Sequence, residues 1–259
     1  MQIARGLAAQ PPLHLKLLFR ELQRSPASAE TRILDHGCGG GLTCLILIAC
    51  GYKNTYGIDI DEPQSIAYLN TVTRLPQFGC SEDHFFDYDG TQIPFADGAI
   101  DLIFSQQVVE HVTEPFFESF WSEEYRVLSA DGIALHQIPH ALTPYDSHTR
   151  TWLIHMLPKT LRPALYRMTK NDPAYVESFL ALRWPWVIRH AVRHIGFQAE
   201  DITTRRLALA LQDAHMVADY EGPRRLRSAM NTVFSAPVVG QALMRAVAPL
   251  SMMELRLTR

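Results

Sequence analysis

A chain of 259 residues, 47% apolar and 20% charged, can bury a sizeable core and has an ordinary globular balance. A net charge of −3 and a pI near 6.4 speak against a nucleic-acid partner, which needs a basic face. The cysteines Cys38, Cys44, Cys50 and Cys80 form no C-x-x-C pair, so a zinc or disulfide framework is not expected. The N-terminus lacks a secretory pattern, and the apolar runs Leu45 to Cys50 and Val238 to Leu250 are too short to span a bilayer. The reading is a cytoplasmic protein with reduced thiols.

In chain order, Pro11 to Gln23 predicts an amphipathic helix, with Leu13, Leu17 and Leu18 on one face and Lys16, Arg20 and Arg24 off it. A polar linker follows, Ser25 to Glu30. Ile33 to His36 reads as a strand, and a glycine cluster leads into a helix over Leu42 to Cys50. Thr55 to Asp59 is a second strand ending in an acid. Pro63 to Arg74 predicts a helix with an acidic first turn. His84 to Phe86, Leu102 to Ser105 and Ile133 to Ile138 read as strands three to five, with a helix over Pro115 to Leu128. The last strand is expected over Met252 to Leu257.

The whole of 1–259 is read as one domain with two inserted segments. Residues 139–182 leave strand five carrying Pro139, Pro144, Pro158, Pro163 and Pro173. Ligands of open α/β sheets sit beyond the carboxyl ends of the strands, so this segment is expected to cover a substrate. Residues 207–248 are expected to be mostly helical, broken at Pro223 and Pro237. Arg224, Arg225 and Arg227 precede an apolar stretch there, which suggests peripheral membrane contact through 223–248.

The strand, glycine loop, helix and strand from Ile33 to Asp59 point to an adenosine-containing cofactor. Glycine lets a ligand approach the main chain, and an acid at the second strand's tip suits a ribose diol. The dinucleotide pattern G-x-G-x-x-G fails at its last position, which is Leu42 read from Gly37 and Cys44 read from Gly39. Asp35-x-Gly37-x-Gly39-x-Gly41 instead resembles motif I of the class I S-adenosylmethionine-dependent methyltransferases, small-molecule type. Asp89 to Phe95, Gly98 to Phe104, Val108 to Val112 and Glu124 to Gly132 resemble later segments of that family, in its order. The likeness covers roughly residues 30 to 140 and returns weakly at Ile188 to Ile202. His36 departs from it, since a small or apolar residue is commoner there.

The resemblance implies an α/β fold, with helices on both faces of a seven-stranded, mostly parallel sheet ordered 3-2-1-4-5-7-6. Helical insertions are expected after strands five and six. It implies S-adenosyl-L-methionine as cofactor, held by Asp35, Gly37, Cys38, Gly39, Gly41, Asp59, Ile60, Asp89, Gly90, Ser105 and Gln106.

Methyl transfer needs mainly an aligned nucleophile. An aliphatic hydroxyl must also lose its proton, and a histidine near neutral pH is the natural base. His140 and His148 are the leading candidates, with His111 next. The set His140, Asp146, His148 and His155 is too rich in histidine for a magnesium-type ion, so no metal is assigned. Ser105-Gln106-Gln107-Val108 lacks the Pro-Pro signature of adenine methyltransferases and the Pro-Cys of cytosine enzymes. A small-molecule, glycan or lipid-linked acceptor with an oxygen nucleophile is expected. The rivals are a non-catalytic module that binds the adenosyl cofactor and a nicotinamide-dependent oxidoreductase.

Overall fold

A computed structural model describes residues 11, 13–24, 30–60, 81–212 and 237–259. The expected helix over 63–74, Cys80, most of the linker before Glu30, and the basic group Arg224, Arg225 and Arg227 lie outside the described residues.

The described chain builds a seven-stranded sheet. Its strands are β1 (Ile33–His36), β2 (Thr55–Asp59), β3 (Phe85–Asp87), β4 (Ile100–Gln106), β5 (Leu128–Ile138), β8 (Gln198–Asp201) and β9 (Met253–Thr258), in the spatial order β3-β2-β1-β4-β5-β9-β8. Pairings from β3 through β5 are parallel, and β9 runs antiparallel to both β5 and β8. This is the expected order, with β8 and β9 as its sixth and seventh strands.

Strand β5 starts earlier than the apolar run at Ile133 suggests. Leu128 pairs with Ile100, then the register jumps so that Leu102 meets Ile133. The polar stretch Ser129 to Gly132 takes up the slack, and its composition hides the strand's first residue from a pattern reading.

Alternation along the strands splits the core. Leu34, Ile58 and Ile103 face one side, against Phe120 and Trp121 of α3 (Glu114–Val127) and Ile188 and Val192 of α6 (Pro185–Ile195). Ile33, Leu102, Phe104 and Leu135 face the other. There they meet Leu15 and Leu18 of α1 (Leu13–Arg24) and Leu47 of α2 (Leu42–Ala49). Each fully buried side chain of this size contributes about 1.5–3 kcal/mol. Arg256 of β9 pairs with Glu21 at 3.1 Å and ties α1 to the sheet.

The segment after β5 carries more than helices. It opens with a two-stranded ribbon, β6 (Tyr145–Asp146) and β7 (Thr151–Trp152), before α4 (Arg162–Met168) and α5 (Pro173–Phe179). The ribbon's turn is built by Asp146, whose carboxylate accepts the backbone N–H of His148 and of Thr149 and the Thr149 hydroxyl. After β8, α7 (Thr203–Gln212) and α8 (Pro237–Val247) are helical, and Pro237 opens the second of them.

Candidate cofactor and acceptor site

The glycine loop is strapped to β2. The N–H groups of Gly37 and Cys38 both donate to the Ile58 carbonyl, at 2.8 and 3.0 Å. Gly37, Gly39 and Gly41 all have positive φ, at 82°, 50° and 70°, and this left-handed region favours glycine. The first two differ in their surroundings. A Cβ on Gly37 would stand 2.2 Å from Val108 Cγ2, whereas one on Gly39 would meet no atom of the described residues within 4 Å. Gly39 N–H donates to Asp59 Oδ2 at 2.6 Å.

Of these residues, Gly37 and Asp59 border a cavity of about 320 Å³. Its lining includes His36, Gly37, Asp59 and Ile60 from the ends of β1 and β2, Asp89 and Gly90, and Val108, His111, Phe116 and Phe120 from the chain after β4. The lining is mostly apolar with few polar groups, the usual character of a small-ligand site. Ile60 is 67% exposed, an apolar surface beside the Asp59 carboxylate. Asp89 accepts from Thr91 Oγ1 and from the N–H groups of Thr91 and Gln92, and these bonds hold its carboxyl below the usual range.

Other residues expected here stand off the cavity wall. Asp35 is buried beneath the loop, with the Cys44 thiol 3.7 Å away, and burial pushes its carboxyl up to about 7. The Cys38 side chain packs against Gly57, where a Cβ would come within 2.8 Å of its sulfur, and burial pushes the thiol up. Ser105 is buried, its hydroxyl without a hydrogen-bond partner among the described residues. Gln106 reaches away, donating to the His14 carbonyl at 2.9 Å.

His36 lines the cavity from below. Its Nδ1 lies 2.7 Å from Glu124 Oε1, and its ring stacks on Phe120 at 4.4 Å between centroids. His136 Nε2 lies 2.9 Å from the other Glu124 oxygen. Burial alone would push the Glu124 carboxyl up, but the His136 and His36 imidazoles together hold it at about 2. The departure at His36 was the sequence signal for this network. Its partner lies 88 residues on, and the contact exists only because α3 covers β1.

The candidate bases separate. His148 and His111 come together, with ring centroids 4.9 Å apart. His111 Nδ1 lies 2.9 Å from the Phe179 carbonyl, and His148 Nδ1 lies 3.1 Å from Asp146 Oδ1. The bond to Asp146 raises His148, while burial lowers His111. Between them is Glu110, a buried acid that sequence reasoning passed over, whose carboxyl burial pushes up to about 8. His140 turns elsewhere. Its Nδ1 accepts the Leu142 N–H, and burial takes it down to about 4. It borders neither the cofactor cavity nor its neighbour.

That neighbour is a second cavity of about 320 Å³, sharing Thr113 with the first. His155, Lys159, Arg162, Tyr166, Arg183 and Trp184 are among the residues that line it. Arg183 is buried over the Phe117 ring at 3.7 Å and donates to the carbonyls of Val109, Val112 and Ala181. It thereby fastens the segment after β5 to the turn after β4.

A family profile described as "Methyltransferase domain" matches residues 34–136. Ajmaline N-methyltransferase of Rauvolfia serpentina is 30% identical over 133 residues, 50% of this chain and 44% of that protein. An uncharacterized methyltransferase of Mycolicibacterium gilvum is 28% identical over 131 residues, 49% of this chain and 48% of that one. The chain thus spans about half the length of these curated relatives. Among solved structures, a Haemonchus contortus phosphoethanolamine N-methyltransferase in complex with phosphomonomethylethanolamine and S-adenosylhomocysteine aligns with a TM-score of 0.51 at 16% identity, over 94% of this chain and 51% of its own. An S-adenosylmethionine-dependent methyltransferase from Mesorhizobium loti aligns at 0.51 and 17% identity, over 95% and 100%. At such identities these two establish the fold. Strand order and profile match agree: residues 34–136 match the methyltransferase-domain profile, and the sheet has the fold of class I, S-adenosylmethionine-dependent methyltransferases.

Proposed function

We propose that this chain transfers a methyl group from S-adenosyl-L-methionine to an oxygen of a small-molecule, glycan or lipid-linked acceptor. The observation that carries the reading is the pair of cavities meeting at Thr113, one bordered by the glycine loop and Asp59, the other by the segment after β5. The residues fit the cofactor. The open side of Gly39 leaves room for a ligand against the main chain, and Asp59 is an acceptor for a ribose diol. Ile60 offers an apolar surface for adenine, with Asp89 and Gly90 at its edge.

When bound, the cofactor supplies an already activated methyl carbon on a sulfonium. The protein's part is then to hold the nucleophile in line, which contributes about 7–11 kcal/mol in favourable cases. Residues 139–182 serve as the acceptor's cover. Of the candidate bases, His111 lines the cofactor cavity and His148 packs against His111. Lys159 and Arg162 favour a polar or anionic acceptor in the second cavity.

Calorimetry with S-adenosylhomocysteine and with NAD tests the cofactor. Binding of the first alone is expected, and binding of NAD alone would replace the reading with the oxidoreductase. Methylation of hydroxylated and amine acceptors, followed by mass spectrometry, then tests the nucleophile. Turnover of amines only would overturn the oxygen assignment, and cofactor binding with no turnover on any acceptor would favour a binding module.

A further inference from the structure

Glu110, His111 and His148 bring one carboxylate oxygen and two imidazole nitrogens within 4.8 Å of one another. Glu110 Oε1 lies 3.9 Å from His111 Nε2 and 3.8 Å from His148 Nε2. These separations are too long for hydrogen bonds. They are close to those of ligands sharing an ion, since two atoms about 2.1 Å from a tetrahedral centre stand about 3.4 Å apart.

Glu110 itself needs a partner. It is 1% exposed, and neither carboxylate oxygen has a hydrogen-bond partner among the described residues. A buried carboxylate left so is costly. The two imidazoles are already oriented. The other nitrogen of His111 faces the Phe179 carbonyl at 2.9 Å, so it donates there and leaves Nε2 with its lone pair toward Glu110. The other nitrogen of His148 faces Asp146 Oδ1 at 3.1 Å, with the same result. Asp146 is fixed in turn by Thr149 at 2.6 Å. Metal-bound histidines show this arrangement, one nitrogen on the ion and the other donating to a carbonyl or carboxylate.

We propose that Glu110, His111 and His148 bind one divalent transition-metal ion, of the zinc, iron(II), cobalt or manganese kind, through Oε1 and the two Nε2 atoms. Two imidazoles and one carboxylate select such ions over magnesium or calcium. Three ligands leave open positions, and His111 also forms part of the cofactor cavity's wall. An acceptor oxygen could complete the coordination there. That use rests on the methyl-transfer reading, whereas the binding itself does not.

The test uses the full chain, free of affinity tags and stripped with chelator, titrated with Co²⁺ and Zn²⁺ by calorimetry and by the visible absorption of bound cobalt. One ion per chain is expected. His148→Ala and the isosteric Glu110→Gln should each weaken it by about 100-fold or more, and Asp146→Asn by about 10-fold. Circular dichroism checks each fold, and His148, partly exposed on the ribbon turn, remains informative if Glu110→Gln fails to fold. Binding unchanged in all three variants would overturn the proposal, as would no ion at one per chain. The exposed pair His190 and His194, with ring centroids 6.1 Å apart, is the competing site, and loss of binding in a His190→Ala, His194→Ala double variant would also overturn it. S-adenosylhomocysteine binding, measured separately, distinguishes failure of the methyl-transfer reading from failure of the metal site.

Discussion

Asp59, at the tip of β2, accepts a 2.6 Å hydrogen bond from the backbone N–H of Gly39, in the loop that follows β1. One carboxylate therefore steadies the glycine loop and faces the cavity beside it. Asp59→Ala should lose both contributions. Hydrogen bonds to a charged group contribute about 1.5–3 kcal/mol, so S-adenosylhomocysteine affinity should fall roughly 10- to 100-fold by calorimetry. An unchanged dissociation constant would place the ribose elsewhere.

Gly37 and Gly39 should respond differently to the same added methyl. Gly37→Ala meets Val108 at 2.2 Å in a left-handed backbone, and should lower unfolding stability by about 2 kcal/mol or more in urea. Gly39→Ala meets no described residue, and should cost only about 1 kcal/mol from backbone strain while abolishing cofactor binding. Equal stabilities for the two variants, or intact binding in Gly39→Ala, would show that the loop's roles are misassigned.

Acid should expose the network below the cavity. Glu124 is held at about 2 in the folded chain, below its ordinary value. A depressed carboxyl stabilises fully above its unfolded pKa of about 4.5 and loses that contribution as pH falls toward 2. The urea midpoint should therefore drop steeply between those values, through a contribution of a few kcal/mol. In Glu124→Gln the stability at neutral pH should already be lower, and the fall over that window shallower. Parallel profiles for the two proteins would rule the network out as the cause.

Arg183 should govern the segment after β5. Arg183→Met removes the donors to the carbonyls of Val109, Val112 and Ala181 and the charge over Phe117. Leaving the buried Val109 carbonyl unmatched costs about 1–3 kcal/mol before relaxation, and the partly buried carbonyls of Val112 and Ala181 add less. Proteolysis within 139–182 should become at least several-fold faster, with cofactor affinity little changed. Wild-type cleavage rates would mean that other contacts hold the segment.

The glycine loop and Asp59 were legible in the sequence because each depends on local pattern: apolar runs, glycine spacing, an acid at a strand's end. The strand order followed only from the family resemblance that those motifs carry, since no local pattern says which strands lie side by side. The beginning of β5 was not, because Ser129 to Gly132 interrupts its alternation. Nor could spacing choose among the histidines. His140 and His148 follow the same strand eight residues apart, yet one is turned by Leu142 and the other by Asp146. Glu110 was legible only as the neighbour of His111. Its meeting with His148 depends on how the ribbon folds back, a long-range contact that no local pattern encodes.

The placing of β9 bears on how the sheet can be made. Among the described residues β8 pairs with β9 alone, and β9 lies between it and β5. On a ribosome, strands β1 to β5 can pair as they emerge, but Gln198 to Asp201 has nowhere to go until Met253 to Thr258 has also been made. That end of the sheet closes last, by a long-range step that is intrinsically slow, and a chain stalled before residue 253 would expose the apolar border of β5 to other unfinished chains.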